Sequence, residues 1–222
     1  MRLIGVGVGP GDPEHLTLKA LRALKEADRV FVPDGGRAAE IVSAHVAVEP
    51  LEFGMSDAAS RDEHWDRAGR AIAEVVKTGT AAFATIGDPN LYSTFAYVAH
   101  TVRALVPGVV VETVPGITAM QDLAARTGTI LAEGDERLAL IPYTAGDAAL
   151  RDALASFDTV IVYKGGRHLP AVLRAVGDAG REPVYGENLG RSGETLVAPD
   201  GSAPYFSTVI APPARTGRGS RL

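Results

Sequence analysis

Before Pro115-Gly116 the chain alternates five short apolar runs with amphipathic stretches, and few folds accept that order. The runs are Arg2 to Val8, Asp28 to Pro33, Val46 to Leu51, Thr80 to Ile86 and Val109 to Val114. Between them, Leu16, Ala20, Leu24 and Ala27 share a helical face within His15 to Ala27, and Arg37 to Ala44 reads as a short helix. Glu52 to Ser60 reads as a loop. Trp65, Ala68, Ile72, Val75 and Val76 recur at helical spacing within Arg61 to Thr78. Asp88-Pro89 reads as the cap and first residue of a further helix, with Leu91, Phe95, Val98, Val102 and Leu105 as its stripe. Strands that are apolar throughout and separated by helices predict a parallel sheet covered on both faces.

The second half changes character. Thr118 to Thr127 reads as a helix stopped by Gly128. Strands are predicted at Arg137 to Pro142, Thr159 to Lys164 and Pro183 to Glu187, with helices at Asp147 to Ala155 and Leu169 to Ala179. Glu194 to Ala198 and Tyr205 to Ala211 flank the turn Pro199-Asp200-Gly201-Ser202, a hairpin signal. The expected fold is therefore α/β with two domains. Residues 1–115 carry a parallel five-stranded sheet and 116–211 a mixed five-stranded sheet. Residues 212–222 form a flexible basic tail.

Composition closes several routes. There is no Cys, which excludes disulfides, thiolate metal sites and a Cys nucleophile. The five His show no ligand spacing, and no metal site is expected. The formal net charge of −5 argues against a nucleic-acid partner, which needs a broad basic face. No apolar run is long enough to span a membrane, and the first residues are unlike a signal peptide, so a cytoplasmic protein is expected.

Three strand-to-helix loops are candidates for chemistry. In the first, Gly5-Val6-Gly7-Val8-Gly9-Pro10-Gly11-Asp12-Pro13, a dinucleotide fingerprint fails in every register. Starting at Gly5, Gly7 or Gly9 places Pro10, Asp12 or Glu14 where the third glycine belongs. Asp12 and Glu14 would also repel a phosphate there. These glycines allow close backbone approach to something else, or make a tight turn. The second loop, Ile86-Gly87-Asp88-Pro89-Asn90-Leu91-Tyr92, follows a parallel strand, where open α/β sheets bind ligands. In the third, Thr113-Val114-Pro115-Gly116-Ile117-Thr118-Ala119 puts small residues and a Gly at the domain junction, readable as a cleft floor or as an ordinary turn. Lys164, Arg167 and His168 form a basic cluster after a later strand, readable as a solvated helix start or as an anion site.

The segments GVGVGPGDPEHLTLKA, IGDPNLYSTFAY and ETVPGITAM, in this order, closely resemble the tetrapyrrole methylase family of S-adenosylmethionine-dependent enzymes. The resemblance runs from Leu3 to about Ala211. Tyr92-Ser93-Thr94-Phe95, Ala132 to Leu138 and Tyr163 to Pro170 are most similar to the branch that methylates C20 of precorrin-2. Other branches stay open, among them those acting on cobalt-factor II, precorrin-4 (at C11) or uroporphyrinogen III, and diphthine synthase.

The resemblance implies a homodimer of two-domain subunits with S-adenosylmethionine in a trough between the domains, and a reduced tetrapyrrole as acceptor. It assigns Pro10, Ile86, Gly87, Asp88, Leu91, Thr118, Ala119, Tyr163 and Lys164 to the cofactor, with Glu187-Asn188-Leu189 near it. It turns Gly9, Gly11 and Asp12 toward the substrate. Arg61, Arg137, Arg167 and His168 are the expected cations for the substrate's carboxylates. No residue is identified as the base.

Overall fold

A computed structural model describes residues 1–53 and 61–215; the side chain of Arg61 is outside that description. Most of the expected Glu52 to Ser60 loop and the tail beyond Arg215 also lie outside the described residues. The chain divides into two compact units, Met1–Thr118 and Ala119–Leu222.

In the first unit the order is β1 (Arg2–Gly7), α1 (Leu18–Glu26), β2 (Arg29–Pro33), α2 (Arg37–Val42), β3 (Glu49–Leu51), α3 (Arg61–Val76), β4 (Thr80–Thr85), α4 (Phe95–Leu105) and β5 (Val110–Val114). The strands form one parallel sheet ordered β3-β2-β4-β1-β5. Successive side chains of a strand point to opposite faces. Leu3, Phe31, Ala81 and Phe83 therefore pack with α3 and α4, while Ile4, Val6, Val30, Val32, Ala82 and Ala84 pack with α1 and α2. Both faces are buried, which is why the strands read as unbroken apolar runs. The connection leaving β1 goes to one face of the sheet and that leaving its neighbour β4 goes to the other. Such a switch point opens a crevice at the carboxyl ends of the strands.

Two helix starts differ from the sequence reading. The chain makes a short 3-10 turn at Pro13–His15, and α1 begins only after Thr17, whose hydroxyl accepts from Ala20 N at 3.0 Å. Asp88-Pro89 does not open α4. That helix begins at Phe95, whose N–H donates to Ser93 Oγ at 3.1 Å, so Leu91 lies outside it; at the helix's other end Leu105, expected in its apolar stripe, is exposed. The Asp-Pro pair makes a turn instead, because the Asp88 carboxylate has other donors, described below.

The second unit contains α5 (Ala119–Thr127), β6 (Leu138–Pro142), α6 (Asp147–Ser156), β7 (Thr159–Tyr163), α7 (Leu169–Asp178), β8 (Val184–Glu187) and β9 (Ser207–Ala211). Its sheet is mixed, as expected, but has four strands rather than five, ordered β6-β7-β9-β8. Strand β9 is antiparallel to both β7 and β8. The expected hairpin is absent. Glu194 to Ala198 makes only one bridge, Thr195 to Glu187, and Leu196 and Val197 are both exposed. Two adjacent apolar residues on the solvent side cannot supply the alternation that buries one face of a strand.

The guanidinium of Arg181 ties this unit together. It donates to the main-chain carbonyls of Leu154, Phe157, Asp158 and Ala211 at 2.7–3.2 Å, joining the end of α6 to the end of β9. The expected frayed tail is held at its start: Arg215 donates to Ile130 O at 3.0 Å and pairs with Glu133 and Glu136.

Candidate functional site

Three loops converge at the carboxyl ends of β4, β1 and β5. Gly87 N–H donates to Gly9 O at 2.9 Å, and Val8 N–H to Thr85 O at 3.0 Å. A Cβ on Gly7 would lie 2.5 Å from Gly87 O and 2.6 Å from Gly116 N. One on Gly116 would collide with Gly87 O and lie 2.7 Å from the carbonyl carbon of Gly7. The close approach implied by the first glycine loop is thus to neighbouring backbone. No side chain fits where these strands of main chain cross.

The Asp88 carboxylate fastens this junction. Oδ1 accepts from Asn90 N at 2.8 Å and Oδ2 from Gly116 N at 3.1 Å. The Asn90 side-chain amide donates to Thr113 Oγ1 at 3.1 Å. Asn90 and Thr113 both lie in the candidate loops, but their pairing is not legible in the sequence, since nothing in their spacing marks residues 23 apart as partners. Gly87 has φ +67° in the left-handed region, and among the described residues nothing lies within 4 Å of where its Cβ would be. That opening is what a ligand lying against main chain requires, and glycine provides it without strain.

The other candidates of this unit fall around the junction. Gly9, Pro10 and Gly11 are buried in the β1 loop, Gly9 with φ +83°. Asp12 is engaged as a cap, accepting from Glu14 N at 2.8 Å. Ile86 and Leu91 flank Gly87 and are half-buried, and Thr118 is buried at the unit's end. Arg61 opens α3, and its side chain is outside the described residues.

In the second unit β6, β7 and β8 run in one direction, so the residues following them share one sheet edge. Lys164 directly after β7 and Asn188 directly after β8 both adopt positive φ, +59° and +52°. A side chain in the left-handed region costs about 1–2 kcal/mol and persists where surroundings hold it. Lys164 is half-buried, and burial pushes its ammonium below the ordinary lysine value. Arg167 and His168 follow in an exposed turn, with the His168 ring 5.3 Å from that of Tyr143 after β6. The Tyr163 hydroxyl accepts from Met120 N at 2.9 Å, satisfying an orphan donor in the first turn of α5, next to Ala119. Beside Asn188, the Tyr185 hydroxyl donates to Glu187; burial and that carboxylate push its pKa up.

The structure therefore gathers Lys164, Arg167 and His168, as the sequence suggested, but not Arg137. Arg137 precedes β6, at the opposite sheet edge. Its N–H donates to Asp158 Oδ2 at 2.7 Å, and its guanidinium sits 5.6 Å from the centre of the Phe157 ring. Leu189 is buried and packs with Leu123 and Ile161.

Comparison with known proteins bears on this arrangement. Residues 2–202 match the sequence profile of the Tetrapyrrole (Corrin/Porphyrin) Methylases. The chain is 32% identical to a precorrin-2 C(20)-methyltransferase of a Sinorhizobium species, over 95% of each protein. It is 39% identical to a probable cobalt-precorrin-2 C(20)-methyltransferase of Methanocaldococcus jannaschii, over 73% of this chain and 72% of that one. Among solved structures, uroporphyrin-III C-methyltransferase of Thermus thermophilus, crystallised with S-adenosylhomocysteine, shares the fold. Its TM-score is 0.69 and its identity 24%, over 96% of this chain and 97% of that one.

Proposed function

We infer the activity from one premise: the chain belongs to the tetrapyrrole (corrin/porphyrin) methylase family. It is a methyltransferase of cobalamin biosynthesis that transfers a methyl group from S-adenosylmethionine to C20 of precorrin-2. The observation that carries this reading is the end-to-end similarity, 95% of both chains, to a protein of that activity.

The residues around Gly87 fit the methyl donor. Glycine backbone and an empty Cβ direction at Gly87 leave a berth against main chain. The contacts we propose are those of the family motifs: Pro10, Ile86, Gly87, Asp88 through its main chain, Leu91, Thr118, Ala119, Tyr163 and Lys164. The donor, when bound, supplies an electrophilic methyl on a sulfonium sulfur. The protein's part is alignment of the reacting carbons and exclusion of water, for which rigid main chain is suited. The acceptor is a polycarboxylate. Lys164 and Arg167 supply positive charge, and His168 a ring N–H, at one sheet edge in a chain of net charge −5, and local charge can oppose net charge. Gly9, Gly11 and Asp12 are proposed to face the substrate.

Incubation of the protein with precorrin-2 and S-adenosylmethionine should add the mass of a single methyl group, located at C20 by NMR. No transfer under conditions where the cofactor binds would overturn the assignment. The Methanocaldococcus relative favours a second reading, in which the acceptor already holds cobalt. Parallel assays with precorrin-2 and cobalt-precorrin-2 separate the two by kcat/KM. The same reading makes the chain a homodimer in the cytoplasm. A monomer mass by light scattering at micromolar concentration would count against the dimer. No helix among the described residues is long and apolar enough to cross a membrane.

A further inference from the structure

We infer that Asp88 and Asn90 are positioning residues: their side chains clasp the turn after β4 to the end of β5, over the end of β1, and so hold Gly87 in its open left-handed conformation. This rests on the reading that the cofactor lies against Gly87.

A glycine adopts either sign of φ about equally, so Gly87 does not hold its own geometry. Its N–H bond to Gly9 O fixes one side of the turn. The other side has no ladder to join, because β4 and β5 are separated by β1. Beyond the strand ends the turn crosses over the end of β1 and meets Gly116, whose Cβ would collide with Gly87 O. The bridge consists of Asp88 Oδ2 on Gly116 N and Asn90 Nδ2 on Thr113 Oγ1. Asp88 Oδ1 closes the turn on Asn90 N. Both carboxylate oxygens therefore receive main-chain donors of the unit itself. Gly7 and Gly116 let the turn pass close enough for these bonds.

The arrangement makes an isostere informative. Asn in place of Asp88 has one acceptor oxygen and turns an NH2 group toward the other N–H. Asp88→Asn should weaken S-adenosylhomocysteine binding by about 10- to 100-fold, the usual scale for losing a charge-assisted bond. Asn90→Ala and Thr113→Val should each weaken it by about 3- to 10-fold. The effect of Asp88→Asn with Asn90→Ala should fall short of the product, since both release the same turn.

The test is calorimetric titration of the full chain with S-adenosylhomocysteine, with KM for S-adenosylmethionine and for the tetrapyrrole measured alongside. The cofactor constants should rise while the tetrapyrrole KM stays within about twofold; a merely structural lesion would lower the active fraction and leave both constants alone. Amide exchange at Gly87 and Gly116 reads the clasp without ligand. It should quicken at least about tenfold in Asp88→Asn and Asn90→Ala, a loss of local protection of the bonds concerned. Wild-type affinity in Asn90→Ala and Thr113→Val, or unchanged exchange, overturns the inference even if Asp88→Asn does not fold. Wild-type protein that fails to bind S-adenosylhomocysteine, with exchange quickened in the variants, overturns the functional reading and the cofactor role of the clasp but not the clasp.

Discussion

The two units end their parallel strands in different ways. At the carboxyl edge of the first sheet the crossing is made of glycine backbone, and its left-handed positions Gly9 and Gly87 carry no side chain, although Tyr92, further along the loop after β4, is left-handed too. At the corresponding edge of the second sheet the left-handed positions directly after β7 and β8 are Lys164 and Asn188, and side chains fasten the surrounding loops. Arg126 reaches both Asp122, at 2.8 Å, and Glu194, at 2.9 Å, and Glu194 in turn accepts from Gly190 N at 2.6 Å. Added atoms should therefore break the glycine crossing of the first unit, whereas the second unit depends on side-chain donors such as those of Arg181.

The largest effect is expected at Gly116. Gly116→Ala forces a Cβ into Gly87 O and the backbone of Gly7, neither of which can swing aside. It should cost at least about 3 kcal/mol, the upper range for overpacking, read as a fall in the urea midpoint. A normal midpoint would show that the crossing is loose. On the second unit, Arg181→Ala removes the donor of four carbonyl bonds and should cost about 2–4 kcal/mol. Arg181→Lys should recover less than half, because an ammonium cannot reproduce a planar fork. Full recovery would mean that charge rather than geometry matters there.

Gly87→Ala sharpens the contrast, since its Cβ meets nothing within 4 Å among the described residues. Left-handed strain should cost only about 1–2 kcal/mol of stability. Affinity for S-adenosylhomocysteine should nonetheless fall at least about tenfold, because the methyl enters the proposed berth. Equal affinity in a folded variant would move the berth elsewhere. Lys164→Gly runs the other way. Relief of the positive φ, less glycine's entropic cost, should stabilise the protein by about 0.5–1 kcal/mol while lowering kcat/KM for the tetrapyrrole. A destabilised variant would show that no strain is held there.

The smallest effect concerns the Arg215 contact. Arg215 lowers the pKa of Glu136 below its usual 4.5, chiefly through the hydrogen bond between them. A depressed folded value means that this contribution is present above the unfolded pKa and is lost as pH falls through the folded one. Arg215→Ala should therefore reduce stability at pH 7 slightly and flatten its loss on acidification below about pH 4.5. Denaturation midpoints across pH 7 to 3 would show it; parallel curves would leave Glu136 uncoupled.

Much of the site was legible because its signals are local. Gly87, Gly116 and the basic residues after β7 stand beside strand ends that can be located from apolar runs alone. Asp88 illustrates the boundary. Its place after a strand was readable, but Asp-Pro has two outcomes, helix cap or turn. The choice depended on Gly116 N, 28 residues away. Arg137 illustrates it again. Its neighbours in sequence suggested the substrate cluster, yet strand direction put it at the far edge of the same sheet.

The alternation of strands and helices, the parallel character of the first sheet and the family motifs are written in local pattern, because periodicity and turn chemistry act over a few residues. Three features come from long-range packing instead: β9 enters between β7 and β8, the 194–198 segment stays out of the sheet, and Asp88 serves the loop after β5 rather than α4. Each required a choice among backbone donors far apart in the chain. Such choices follow from which strands lie side by side, and no local pattern encodes that.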